Sequence, residues 1–166
     1  MPMNAGMRPD KLMHVSFDLI VETQGWPPEE ALNTLCGTAL AAAVRELGQL
    51  PGKSFCLLFT DDAAMRDLNT RFRNQAKPTN VLSFPAASGD EDHLGDIALG
   101  QETVFREAQE KSIPVSHHIA HLVVHGYLHL QGYDHQTEAE AEQMESIERK
   151  ALQHMEITDP YEGDQQ

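Results

Sequence analysis

"VSHHIAHLVVHGYLHLQGYDH", residues 115–135, is an apolar stretch into which six of the chain's nine histidines are set. Its apolar positions recur at helical spacing, which predicts a central and largely buried helix. His125 and His129 lie four residues apart. That is about 400° of rotation and about 6 Å of rise, so both imidazoles leave one face a single turn apart. Two nitrogens placed in this way can hold one divalent ion. Tetrahedral zinc needs its next ligand from another direction, which a straight helix does not supply. Gly132 provides the change of direction. A glycine at a helix C-terminus takes the left-handed conformation and turns the chain back, which carries His135 toward the same ion. His-x3-His-x5-His with a glycine stop is thus the layout of a three-histidine site. It leaves one coordination position for water or substrate, as catalytic sites do.

The neighbours of these ligands refine the reading. His121 shares their face but sits about 12 Å from His129 along the axis. It is expected to pack, or to hold a ligand's other ring nitrogen, rather than to ligate. Asp134 has two readings of equal weight: it orients His135 or a neighbouring ligand through a second ring nitrogen, or it shapes the turn. Gly126 occupies the position where an H-E-x-x-H zinc peptidase keeps its glutamate base, so peptide hydrolysis lacks its proton acceptor.

Outward from the histidine helix, "MHVSFDLIV" (13–21) alternates as a first strand and "KSFCLLFT" (53–60) forms a second. "TNVLSFP" (79–85) and "LGDIALG" (94–100) read as two more, joined by the polar loop "AASGDEDH". Helices are expected over 27–48, 61–72, 101–112, 115–132 and 137–155. Thr60 or Asp61 caps the second of these, and Thr137 with Glu140 forms a capping box on the last. The fold class is therefore α/β (α+β): a small mixed four-stranded sheet packed by about five helices, with the histidine helix central. Residues 12–156 are expected to form a single domain, and 1–11 and 157–166 flexible tails. No run approaches the roughly 20 apolar residues of a membrane span, and the start lacks a signal peptide's apolar stretch. Cys36 and Cys56 read as buried reduced thiols without metal-type spacing. These features point to the cytoplasm and away from a membrane.

The formal charge is −14, which at first sight argues against nucleic acid. Half of it is local: from Glu138 onward nine acids face two bases, a contribution of −7. By contrast "MRDLNTRFRNQAKP" (65–78) holds Arg66, Arg71, Arg73 and Lys77 against Asp67 alone. A bound cation and clustered arginines can make one cleft positive on an acidic protein. Arg73 stands at a helix exit before a strand that leads toward the metal. Its guanidinium fork matches phosphate bidentately at any working pH.

Three blocks in order, "LNTRFRNQAKPTNVLSFP" (68–85), "LGDIALG" (94–100) and "HLVVHGYLHLQGYDH" (121–135), identify a family. The chain resembles the YbeY family of bacterial endoribonucleases, the rRNA maturation factors. The resemblance implies a metal-dependent, single-strand-preferring ribonuclease acting in rRNA maturation and ribosome quality control. Its expected partners are single-stranded RNA, ribosomal particles and ribosome-associated proteins. It implies one zinc held by His125, His129 and His135, with Arg73 at the position of the family's functional arginine. Lys77 and Arg71 are expected to assist in binding substrate. The sequence departs from the family in "NQA" after Arg73, where a lysine–acid pair is usual, so the local charge is lower. The ion is expected to polarise a phosphate oxygen and activate water, while Arg73 stabilises charge on the phosphoryl oxygens. No general base is evident, which leaves attack by water and by the RNA's own 2′-hydroxyl both open. Two other readings stand beside this one: a non-catalytic ribosome-associated assembly factor with a structural metal, and a zinc peptidase or amidase.

Overall fold

The computed structural model of the chain describes residues 15–48, 53–87 and 92–161. Among them are strands β1 (Phe17–Val21), β2 (Ser54–Thr60), β3 (Val81–Pro85) and β4 (His93–Gly100). The helices are α1 (Glu29–Leu47), α2 (Asp62–Arg73), α3 (Gln101–Lys111), α4 (Val115–Leu130) and α5 (Glu138–Gln153). The strands form one mixed sheet in the order β1-β2-β4-β3. β1, β2 and β4 run parallel, and β3 pairs antiparallel with β4 at the edge. Parallel neighbours need a long crossover, and α1 provides one between β1 and β2. The expected start of the first strand at residues 13 and 14, and the middle of the loop at 88–91, lie outside the described residues, as does the expected tail at 1–11.

β2 turns Phe55, Leu57 and Phe59, all fully buried, toward the helices. α4 lies against this face. It touches β3 and β4 on one side and α1, α3 and α5 on the others. Its buried set runs all the way round the helix, from Ile119 through Val123 and Val124 to Leu128, as a helix enclosed on every side requires. Each such side chain stabilises the fold by roughly 1.5–3 kcal/mol, so α4 is fixed by packing. Gly126 allows its close approach to the sheet. A Cβ there would stand 3.0 Å from Ile97 Cγ2 and 3.1 Å from Ser83 Oγ, and the Ser83 hydroxyl donates to the Gly126 carbonyl at 3.1 Å.

Local signals act where their chemistry is local. The Asp61 side chain accepts the Ala64 N–H at 2.9 Å and opens α2. Thr137 and Glu140 make the reciprocal capping box on α5, at 3.1 and 3.0 Å. Two features differ from expectation. Cys36 is fully buried, and burial pushes its thiol up to about 12; Cys56 is only half-buried, because alternation along β2 turns it to the sheet face opposite α4. Of the expected tail, residues 157–161 are tied to the body, while 162–166 lie outside the described residues. Ile157 packs on the main core, and Asp159 pairs with Arg149 of α5 at 3.1 Å.

Candidate active site

The end of α4 builds the first half of the site. The Gly132 N–H donates to the His129 carbonyl at 3.0 Å, and the Tyr133 N–H to the Leu128 carbonyl at 3.0 Å. This is the paired closure of a Schellman motif. It requires a left-handed residue, and Gly132 supplies it at φ 99°. The chain folds back and His135 returns over the helix end. His125 Nε2 and His129 Nε2 stand 3.1 Å apart. The His129 and His135 ring centroids are 5.0 Å apart, and those of His125 and His135 are 5.6 Å apart. One ligand atom from each of the three lies within 4.8 Å of the others.

These residues fit a metal ion by their chemistry. Nitrogens 3.1 Å apart match the edge of a tetrahedron whose metal–nitrogen bonds are about 2.0–2.1 Å long. The His129 pKa is held below the usual histidine value, first by burial and then by the neighbouring His125 and His135. A neutral imidazole keeps the lone pair that a metal requires.

A carboxylate supports the cluster from behind. Glu148 of α5 is fully buried. Its Oε1 is 2.6 Å from His121 Nε2 and 2.7 Å from the Tyr161 hydroxyl, and its Oε2 is 3.3 Å from His125 Nδ1. Burial pushes the carboxyl up, but the hydrogen bonds from His121 and His125 outweigh it and hold Glu148 at about 2. Burial and then the Glu148 charge push the Tyr161 hydroxyl up, so it stays protonated and donates. The helical spacing puts His121 near His125 and His129; Glu148 and Tyr161 are reached only through the docking of α5. The Asp134 Oδ1 accepts the His135 backbone N–H at 2.8 Å and shapes the turn, while its charge acts on His129.

The second half of the site comes from the exit of α2. The helix ends at Asn74 with φ 57°, so Arg73 is its last residue and leans across β3. Its Nη2 donates to the Ser83 carbonyl at 2.7 Å, and its guanidinium lies 5.7 Å from the Phe84 ring centroid. The Asn69 side-chain amide donates to the Lys77 carbonyl at 2.9 Å and fixes the turn into β3. Arg73, Lys77, His125, His129 and His135 all line one cleft of about 680 Å³, in which Asp134 is the one lining carboxylate among the described residues. Two cations facing one acid, beside a metal-competent cluster, make this cleft positive on an acidic chain. Arg71 is not brought there. It lies on the outer face of α2, paired with Asp67 one turn away at 2.9 Å.

Comparison with known proteins identifies a family. A family model described as "Endoribonuclease YbeY" matches residues 21–156. A protein of that name from Chelativorans sp. (strain BNC1) is 55% identical over 152 residues, covering 88% of this chain and 93% of its own. Another from Maricaulis maris (strain MCS10) is 43% identical over 146 residues, covering 88% of this chain and 91% of its own. A solution structure from Thermotoga maritima superposes with a TM-score of 0.55 at 24% identity, covering 87% of this chain and 97% of that one. That last likeness bears on the fold alone.

Proposed function

The chain belongs to the endoribonuclease YbeY family, and on that premise we propose that it is a metal-dependent endoribonuclease that cuts single-stranded RNA in the cleft between the three histidines and Arg73. The observation that carries this reading is that His125, His129, His135 and Arg73, drawn from opposite walls, line the same cleft. The all-imidazole set suits zinc among the divalent metals. A bound ion supplies Lewis acidity toward a phosphate oxygen and activation of water.

The protein's own side chains do the rest. His125, His129 and His135 hold the ion. Arg73 spends one N–H on the Ser83 carbonyl, which aims the guanidinium and leaves its other donors for phosphoryl oxygens. Lys77 draws the RNA backbone into the cleft, while Arg71, paired with Asp67 outside it, stays apart from the substrate. A single strand can lay its phosphates against such a surface, whereas the narrow major groove of an RNA duplex withholds its edges. Gly126 leaves no glutamate base for peptide hydrolysis. Its closeness to Ile97 and Ser83 also leaves no space for one.

We place this activity in rRNA maturation and ribosome quality control, on ribosomal particles and with ribosome-associated proteins, in the cytoplasm. Among the described residues no helix is long and apolar enough to cross a membrane. One apolar core joining Val15 to Leu152, with Ile157 packed against it, supports a single functional domain that begins near residue 12 and runs on past 156 to Tyr161. The test is cleavage of a labelled single-stranded RNA by zinc-loaded protein, with Arg73→Ala and His129→Ala beside it. Wild type should cut, while both variants fold and fail. Equal cutting by all three would expose a contaminant and overturn the reading. No cutting by any of them, on free RNA or ribosomal particles, would favour the assembly factor. A 2′,3′-cyclic phosphate on the product would identify the 2′-hydroxyl as nucleophile, and cleavage at a 2′-deoxy position would point to water.

A further inference from the structure

Glu148 poses a question that the reaction does not answer. A carboxylate removed wholly from water is costly unless donors satisfy it, yet α5 keeps one in the core. Three partners converge on its two oxygens, His121 Nε2 and the Tyr161 hydroxyl on Oε1 and His125 Nδ1 on Oε2, and a carboxylate so surrounded serves as the acceptor. Each of its three close partners must therefore present a hydrogen. His121 does so from Nε2, Tyr161 from its hydroxyl and His125 from Nδ1. For His125 this decides the tautomer. With the hydrogen on Nδ1, the lone pair is on Nε2, which is the atom 3.1 Å from His129 Nε2. The opposite tautomer would aim an N–H at the ion and leave Nδ1 and Glu148 as two facing acceptors.

His121, His125 and Glu148 also lie close enough together to suggest a second cation site. Hydrogen bonding accounts for them better. At 2.6 Å, His121 Nε2 and Glu148 Oε1 are closer than two ligands on one tetrahedral ion with bonds of about 2.0–2.1 Å can be. The group is a clamp rather than a site.

We propose that Glu148 is the positioning residue of the metal centre. Held by His121 and Tyr161, it fixes the tautomer and ring plane of His125 so that Nε2 faces the ion. The inference rests on the three-histidine reading above and adds a dependence of metal affinity on two residues outside the histidine motif. One of them, Tyr161, lies in the segment that follows α5.

The test measures zinc affinity by competition with a chromophoric chelator, without RNA. It compares wild type, Glu148→Gln, Tyr161→Phe and a control, Glu145→Gln, which removes a partly exposed acid of α5. Circular dichroism and melting of each metal-free protein run alongside, as do the absorption bands of the cobalt(II) forms. Glu148→Gln should weaken zinc binding about 10- to 100-fold, the usual effect of losing a ligand's outer partner, and should shift the cobalt bands. Tyr161→Phe should weaken it less, and Glu145→Gln not at all. Folded Glu148→Gln that binds zinc as wild type does overturns the proposal. If Glu148→Gln does not fold, Tyr161→Phe decides: weaker binding with an unchanged metal-free melt supports the clamp, and unchanged binding overturns it. Wild type that binds no zinc overturns the metal reading itself, which is a different failure.

Discussion

The two walls of the cleft are built on opposite plans. The histidine wall belongs to the core. Its helix is enclosed by the sheet and three other helices, and the carboxylate behind it is 0% exposed. The arginine wall belongs to the surface: Phe72 is 63% exposed and the Arg71 side chain 67%. A few hydrogen bonds, from Arg73 to Ser83 and from Asn69 to Lys77, hold it in place. The difference suits the two tasks. A metal site needs ligands fixed to a fraction of an ångström, which close packing provides. A wall that meets a long polyanion needs reach and charge, which packing would restrict. Damage to the first wall should therefore remove the metal, and damage to the second should spare it.

The sharpest way to break this contrast is His129→Ala. It removes one of the two nitrogens 3.1 Å apart and should cost more metal affinity than the roughly 10- to 100-fold typical of an outer partner. Metal content after gel filtration reads the loss directly. A variant that retains its metal would show that the histidine wall is not the metal wall. Arg73→Lys comes next. It keeps the charge but loses the fork and the contact with Phe84, and should lower kcat by about 10²- to 10³-fold, the scale of losing one preorganised charge-stabilising donor. Its metal content should match wild type, and depleted metal would mean that the walls are not independent.

Gly126→Ala probes how closely the two halves are pressed together. The new methyl meets Ile97 and Ser83 at 3.0–3.1 Å. Overpacking of about 1–3 kcal/mol set against about 1 kcal/mol of gained helix propensity predicts a net loss of about 1 kcal/mol. A thermal melt at or above that of wild type would show that the helix has room to retreat. The smallest effects separate two cations of the outer wall. Lys77→Ala should weaken RNA binding and reduce the magnitude of its salt dependence by about one phosphate contact. Arg71→Ala loses only an exposed pair worth about 0–1 kcal/mol, and its binding curve should nearly overlay that of wild type.

Much of the histidine wall is legible in the sequence because it is local. The two helical histidines, the glycine stop and the returning His135 occupy eleven consecutive residues, and their geometry follows from one helix turn and one backbone conformation. The capping box at Thr137 is legible for the same reason. The clamp is not. His125 and His121 reach Glu148 across 23 and 27 positions, and Tyr161 reaches His121 across 40. Those contacts depend on how α5 docks on α4, and no local pattern encodes that docking. On an acidic helix the one sign that Glu148 points inward is its spacing, four residues after Met144 and three and four before Ala151 and Leu152. The sheet order is hidden similarly. That β3 takes the edge outside β4 depends on the route of the crossovers, not on the apolar runs themselves. Asp134 shows the limit from the other side: both of its readings were plausible by composition, and the His135 backbone N–H captures its carboxylate.

The edge position of β3 also bears on how the protein behaves in a crowded solution. A sheet margin offers unpaired backbone groups to any passing strand and so is a starting point for self-association. Here Arg73 occupies the Ser83 carbonyl, and Pro85 closes the strand without an N–H to give. The guanidinium to which we assign the phosphate thus also guards against clumping, so a chain altered at Arg73 loses a safeguard of its solubility along with the chemistry we propose for it.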